Sequence, residues 1–245
     1  EVSLNRTPVK EQTICSVDLG INTDAVCTIM RPDGTILGRK FINFPSDKDR
    51  MYRVLGRIRR FQREHGSRQV QGRWAYAKRL NTELGKKIAR EIVFYASENR
   101  ADVIVFEYLE MKGKLSGKKK QKLQMWRKRD IQKRCGQQAH RKGIRISRIC
   151  AWNTSRLAFD GSGKVDRDIQ DHRLCTFQNG KRYHCDLSAS YNIGARYFIR
   201  EILKPLPATE RSLLEAKVPA VKRRTSCVYA DLRDLISEME LRKAA

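Results

Sequence analysis

No two cysteines in this chain are spaced Cys-x-x-Cys, and acidic residues are scarce, with 27 Asp+Glu against 52 Lys+Arg. No apolar run approaches the roughly 18 residues that a membrane span requires. The first absence removes the usual scaffold of a structural zinc. The lack of a long apolar run argues against a chain that crosses a bilayer through helices. The shortage of acid leaves a formal net charge of +25, a field that attracts polyanions and opposes compaction until a partner neutralises it, so nucleic acid is the expected partner and a membrane is not. Seven cysteines, at 15, 27, 135, 150, 175, 185 and 227, form an odd and irregular set. Cys15 and Cys27 lie inside apolar runs, as buried reduced thiols do, which fits a reducing compartment. Neither a signal-peptide pattern nor an internal repeat is evident, and the chain starts at Glu1. Residues 1–12 are therefore read as a linker from a missing N-terminal region. A length of 245 residues suits one main domain with elaborations.

What is present begins with three strand-like runs, TICSVDLG, DAVCTIM and TILGRKFIN, within residues 13–43. Pro32-Asp33-Gly34 between the second and third supplies a tight turn, giving an antiparallel meander. Residues 46–80 change character, with arginines interleaved with Tyr52, Phe61, Trp74 and Tyr76, and read as a basic helical insertion. Leu84, Ile88, Ile92 and Ala96 then recur every four residues behind Asn81-Thr82-Glu83, which predicts an amphipathic helix over 82–98 capped at its start. ADVIVFE at 101–107 is a continuous apolar, β-branched run, as a central strand covered on both faces should be, and is expected beside the first strand. The lysine-rich stretch 113–122 reads as a loop, Leu123–Lys142 as a helix stopped by Gly143, and IRISRIC at 144–150 as a further strand. Residues 153–180 read as a loop or an irregular small subdomain. Leu187, Tyr191, Ala195, Phe198 and Ile202 share a helical face that Pro205 and Pro207 end, and a further helix is expected near 229–242.

Three carboxylates stand at structurally special places. Asp18 ends an apolar strand, Glu107 ends a second, and Asp186 precedes an amphipathic helix. If the two strands are neighbours, their ends bring two carboxylates together and the helix start supplies a third. Such a cluster repels itself unless a cation joins it, and hard oxygen ligands suit Mg²⁺ or Mn²⁺. A pair of such ions activates water and stabilises the leaving oxygen of a phosphodiester. On pattern alone Asp186 reads first as an ordinary N-cap, and Asp18 before Leu19-Gly20 can serve as a turn residue. Glu107 is harder to explain away, because a carboxylate closing Val103-Ile104-Val105-Phe106 is costly to bury unpaired.

VDLGIN at 17–22, VIVFEYLEMKGK at 103–114 and DLSASYNIGAR at 186–196 resemble, in order, the three split motifs of the RuvC nuclease domain, as carried by TnpB proteins and type V CRISPR effectors. GIRISRICAWNTSRLAFDG at 143–161 resembles the strand and Thr-Ser element that precedes that family's zinc knuckle. The resemblance implies an α/β, RNase H-like fold with a five-stranded mixed sheet flanked by helices, spanning residues 13–202. Within it lie the basic insertion at 46–80 and a degenerate knuckle at 150–185, and 203–245 follows as a C-terminal tail. It implies two Mg²⁺ or Mn²⁺ ions on Asp18, Glu107 and Asp186, a guide RNA, a target DNA, recognition domains N-terminal to this chain, and a bacterial or archaeal cytoplasmic setting. The chain departs from the family where paired cysteines are usual. A zinc site built from Cys150, Cys175, Cys185, His172 or His184 lacks the family's spacing, and a metal-free knuckle is expected. It also carries Ser188 and Ser190 where Asn and Ala are common.

Strand passage to an acidic site needs cations nearby. Arg57, Arg60, Arg73, Lys118 and Lys119 are the expected phosphate contacts, and Trp74 and Trp126, with Tyr76 and Trp152 in addition, the expected base-stacking aromatics. For any single arginine a solvated helix face is the simpler reading, and for any single aromatic a place in the core. The expected function is guide-directed hydrolysis of DNA. The alternative is a catalytically weak, guide-directed DNA-binding module that acts by occupancy; a free-standing resolvase or RNase H is disfavoured by the arginine-rich insertion and the Thr-Ser element.

Overall fold

The computed structural model describes residues 3–20, 23–66, 70–108, 128–223 and 225–244. The lysine-rich loop at 113–122, with Lys118 and Lys119, and Trp126 with the start of the helix expected from Leu123, lie outside the described residues.

The three expected N-terminal strands form β1 (Ile14–Asp18), β2 (Ala25–Met30) and β3 (Ile36–Ile42), joined antiparallel with Val17 opposite Cys27 and Ile29 opposite Gly38. A hairpin of helices follows, α1 (Pro45–His65) and α2 (Gln71–Glu98), then β4 (Val103–Tyr108), α3 (Lys128–His140) and β5 (Arg145–Cys150). β4 runs parallel to β1, and β5 parallel to β4, so the sheet order is β3-β2-β1-β4-β5. This mixed sheet with helices on both faces is the RNase H-like fold that the sequence resemblance implies.

Residues 153–184 are more ordered than their composition suggests. β6 (Asp166–Arg167), β7 (Leu174–Thr176) and β8 (Arg182–His184) make a small antiparallel sheet. It leads directly into α4 (Cys185–Leu203), followed by α5 (Ala208–Lys217) and α6 (Tyr229–Ala244).

Strand side chains alternate across the sheet, and the two halves of the core record the alternation. Ile14, Val26, Met30, Val103 and Val105 pack with Tyr191, Ile193, Phe198 and Ile199 of α4. Cys15, Val17, Cys27, Ile104 and Phe106 pack on the other side, with Ile88, Ile92 and Ala96 of α2 and Ile131 and Cys135 of α3. α4 is buried almost all round, because the segment expected as a tail closes over its outer side. Leu214, Val221, Cys227, Leu232 and Leu235 join the same core.

α2 corrects one sequence expectation. It starts at Gln71, and Asn81-Thr82-Glu83 lies inside it. Thr82 donates its hydroxyl back to the Lys78 carbonyl at 2.9 Å, and Asn81 is buried, so neither residue caps a helix start. The N-terminal half of α2 and α1 share a separate apolar seam of Met51, Leu55, Ile58 and Ala77.

Candidate active site

The sheet decides which way the carboxylates face. Asp18 is in step with Ile14, and Glu107 with Val103 and Val105, so both lie on the α4 side of the sheet. Val17 stands opposite Phe106 in the parallel β1/β4 ladder, which places Asp18 and Glu107 at the same end of adjacent strands. Asp186 is in the first turn of α4, whose N-cap residue is His184 with no side-chain capping bond. The N-cap reading of Asp186 is thereby excluded, and its carboxylate instead accepts a side-chain hydrogen bond from Thr23. Gly20 makes this approach feasible. A Cβ there would stand 2.4 Å from the Thr23 carbonyl oxygen and 3.4 Å from Asp186 Oδ2.

The electrostatics follow from this placement. Burial, then repulsion by Glu107 and Asp186, holds Asp18 well above the ordinary carboxylate range, with Lys128 and Arg167 opposing. Burial also raises Glu107 and Asp186. The Thr154 hydroxyl donates to Glu107 Oε1 and favours its charged form, as do Lys128 and Arg196. His184, Arg167, Thr23 and Lys128 do the same for Asp186.

Lys128, at the start of α3, interacts with all three carboxylates, while burial lowers its own pKa to about 8. One turn on, Gln132 Nε2 donates to the Glu107 carbonyl at 2.9 Å, fixing the start of α3 against the end of β4. Among the described residues, no three His, Cys, Asp or Glu side chains are gathered tightly enough to hold a metal ion. The donor set itself, three carboxylate groups held in a partly dry pocket, suits a hard divalent cation.

A polar stripe along α4 supports the site. Ser188 Oγ accepts from the Phe159 amide at 3.2 Å. Asn192 Nδ2 donates to the carbonyls of Thr154 and Leu157 at 3.0 and 2.9 Å. Arg196 Nη1 donates to the carbonyls of Cys150 and Trp152 at 2.9 and 2.7 Å. Spaced by four, these residues pin residues 150–159 along the helix and so hold Thr154 against Glu107. Asn192 Oδ1 also accepts from the Tyr229 amide at 3.0 Å, and Arg196 Nε donates to the Cys227 carbonyl at 2.8 Å, tying the C-terminal segment to the same stripe. Ser190 shares a 2.6 Å hydrogen bond with Thr28 of β2. Both serines that depart from the family pattern thus have polar work in this fold.

Lys128, Gln132, Asn192, Arg196 and Thr23 join the site with no local sequence pattern that marks them. Of the expected nucleic-acid contacts, Arg57, Arg60 and Arg73 are exposed on the α1–α2 hairpin, Arg73 with its guanidinium 4.2 Å over the Phe61 ring. Trp74 is half-buried against that hairpin's apolar seam. In the small lobe Cys175 and Cys185 are buried and hydrogen-bonded to one another, which raises the first thiol's pKa and lowers the second's. Phe159 is ringed there by Phe177, Tyr183, Tyr191 and Tyr229 at centroid distances of 5.6, 5.0, 5.2 and 6.0 Å. All seven cysteines are free. No described helix is long and apolar enough to cross a membrane.

No family model and no curated protein sequence matches this chain. Solved structures do. The chain is similar to one in the cryo-EM structure of the Cas12f1-sgRNA-target DNA complex, with TM-score 0.60 and 18% identity over 77% of this chain and 51% of that one. It is similar to one in the crystal structure of the AacC2c1-sgRNA binary complex, with TM-score 0.55 and 10% identity over 76% and 39%. For the CRISPR-Cas12f ternary complex the TM-score is 0.53 and the identity 16%, over 79% and 40%. The chain thus spans about half or less of each of these three proteins, and at these identities the likeness is one of fold.

Proposed function

We propose that this chain is the nuclease domain of an RNA-guided endonuclease, hydrolysing DNA phosphodiester bonds with two divalent cations held by Asp18, Glu107 and Asp186. The observation that carries the reading is the convergence of these three carboxylates on one side of an RNase H-like sheet, where burial raises all three, repulsion by the other two raises Asp18 further, and none caps a helix. Bound Mg²⁺ or Mn²⁺ supplies the charge that polarises a phosphate and lowers the pKa of water. The protein's own residues prepare the place. Thr154 and Thr23 orient Glu107 and Asp186 by hydrogen bonds, and Gln132 fixes the backbone of Glu107. Lys128 and Arg167 offset the repulsion that an incoming phosphate meets from the carboxylates.

The proteins of similar fold are named in complexes with sgRNA and, for Cas12f1, target DNA. We extend both partners to this chain, with the remaining recognition surfaces supplied N-terminally and the exposed arginines of the hairpin contacting backbone phosphates. Its free cysteines fit a reducing, cytoplasmic setting. The small lobe is proposed to fold without zinc, its aromatic packing around Phe159 standing in for the metal. Stoichiometric zinc in the purified protein, by elemental analysis, would refute that part.

A second reading, a guide-directed binder that acts by occupancy, is favoured by one observation. Lys128 already lends its positive charge to the three carboxylates, and so competes with any divalent cation. Cleavage of labelled single-stranded DNA in Mg²⁺ or Mn²⁺ by the chain and by Asp18→Ala separates the two. Metal-dependent cutting lost in the variant supports the nuclease; tight binding without cutting in both supports the binder.

A further inference from the structure

We propose that Trp152 is a stacking platform for one unpaired nucleobase beside the scissile phosphodiester, so that a single rigid turn sets both the base and the bond to be cut. The position of the scissile bond rests on the nuclease reading above; the stacking itself does not.

Trp152 follows the last residue of β5 by two and is 68% exposed, a large apolar ring left in water. Its backbone is firmly held. Arg196, only 2% exposed, spends its Nη1 donor on the carbonyls of Cys150 and Trp152, and Asn192 takes the Thr154 carbonyl. A buried guanidinium is costly to desolvate, and here its hydrogen bonds go to backbone that carries an exposed indole. Asn153 between them adopts φ 58°, a left-handed conformation that asparagine tolerates better than most residues. Thr154 then returns to Glu107 while the indole stays outside. A single residue of pinned backbone, Asn153, therefore separates an outward aromatic surface from a hydroxyl bonded to an active-site carboxylate.

The surroundings select the occupant. Arg156 and Arg167 are exposed on the same stretch of chain; Arg167 Nη2 reaches the Ser155 carbonyl at 3.4 Å, and its charge acts on both Asp18 and Asp186. An exposed aromatic on the segment that bonds Glu107, with exposed cations on the chain that follows it, matches a single strand, whose bases offer π-faces and whose phosphates need counter-charge. Stacking does not depend on base identity, so the platform would set position and leave sequence to other contacts.

The test uses the full chain and a fluorescein-labelled single-stranded oligodeoxynucleotide, with binding read by anisotropy in EDTA so that cleavage plays no part. A single abasic position is walked along the probe. Trp152→Ala is expected to bind about tenfold more weakly, with Trp152→Phe recovering most of the loss. Wild type should lose the same factor when the abasic position falls at one place, and Trp152→Ala should be insensitive there. In Mn²⁺, cutting should occur next to that place. Equal affinity of wild type and Trp152→Ala, no abasic position that distinguishes them, or cutting remote from it would each overturn the proposal. If neither protein cuts but the abasic sensitivity follows Trp152, the stacking site stands and the nuclease reading fails.

Discussion

Asp18 is raised by burial first and by its two carboxylate neighbours second, and that order fixes the sign of its effect on stability. A group whose folded pKa exceeds its unfolded value contributes stability that is present below the unfolded pKa and lost as pH rises through the folded one. At neutral pH, without divalent cations, a charged Asp18 therefore works against the fold. Asp18→Asn keeps the shape and removes the charge, so it should melt higher than wild type at neutral pH and lose that advantage as the pH falls toward the ordinary carboxylate range. Each 1 kcal/mol of relieved repulsion is worth roughly 2–4 °C in a chain of this size. Mn²⁺ should raise the melting temperature of the wild type more than that of the variant. Calorimetry at several pH values decides; a variant that melts lower at neutral pH would remove the acidic cluster from the argument. Thr154 offers a second check, since its hydroxyl favours the charged form of Glu107. Under the nuclease reading, Thr154→Val should move the acid limb of the pH–rate profile to higher pH and Thr154→Ser should restore it. A limb that stays in place would make the threonine merely structural. The three carboxylates were legible because strand ends, a helix start and ordered motifs all mark them. Lys128, Asn192 and Arg196 were not, because their partners are brought to them by the folded sheet and nothing adjacent in sequence signals the contact.

Among the elements, α4 carries the most, since it bears Asp186, the polar stripe and one half of the core. Its closeness to the sheet depends on Gly194. A Cβ there would meet Met30 Cε at 2.8 Å, Met30 Sδ at 2.9 Å and Ser16 Oγ at 3.2 Å. The end of a methionine side chain is flexible, but Met30 is fully buried, so repacking it moves other core atoms. Gly194→Ala is expected to cost about 1–3 kcal/mol. Because α4 must shift outward, Asp186 should also part from Asp18, and the variant should show a smaller Mn²⁺-induced rise in melting temperature than wild type. A destabilised variant with the full metal response would show that helix spacing and site geometry are independent. The strands were readable from alternation and β-branching, which local chemistry imposes. The start of α2 was not, because Asn81-Thr82-Glu83 has the composition of a cap, and only the packing of Ala77 and Asn81 in the fold shows the helix running through it. The helices beyond Leu203 gave little signal of docking, since their apolar residues find a partner only once α4 is in place.

For the molecule as a whole, composition alone predicted a polyanionic partner, whereas the placement of charge needed the fold. The α1–α2 hairpin has its own small apolar seam, which buries Met51, Leu55 and Ile58 and leaves Arg57, Arg60 and Arg73 outside. Exposed arginines on such a support contribute little to stability, so replacing all three with glutamine should leave the melting temperature nearly unchanged. Their effect on binding should be large and dependent on salt. Each phosphate contact releases counterions and contributes about 0.7 to the slope of log K against log salt for a single strand, so the triple variant should lose about two units of slope if all three arginines touch phosphate. Titrations of single-stranded DNA between about 50 and 200 mM salt would measure it. Parallel lines for variant and wild type would mean that the strand does not cross the hairpin, and would assign the chain's attraction for nucleic acid to cations nearer the carboxylates, with Arg167 and Lys128 first among them.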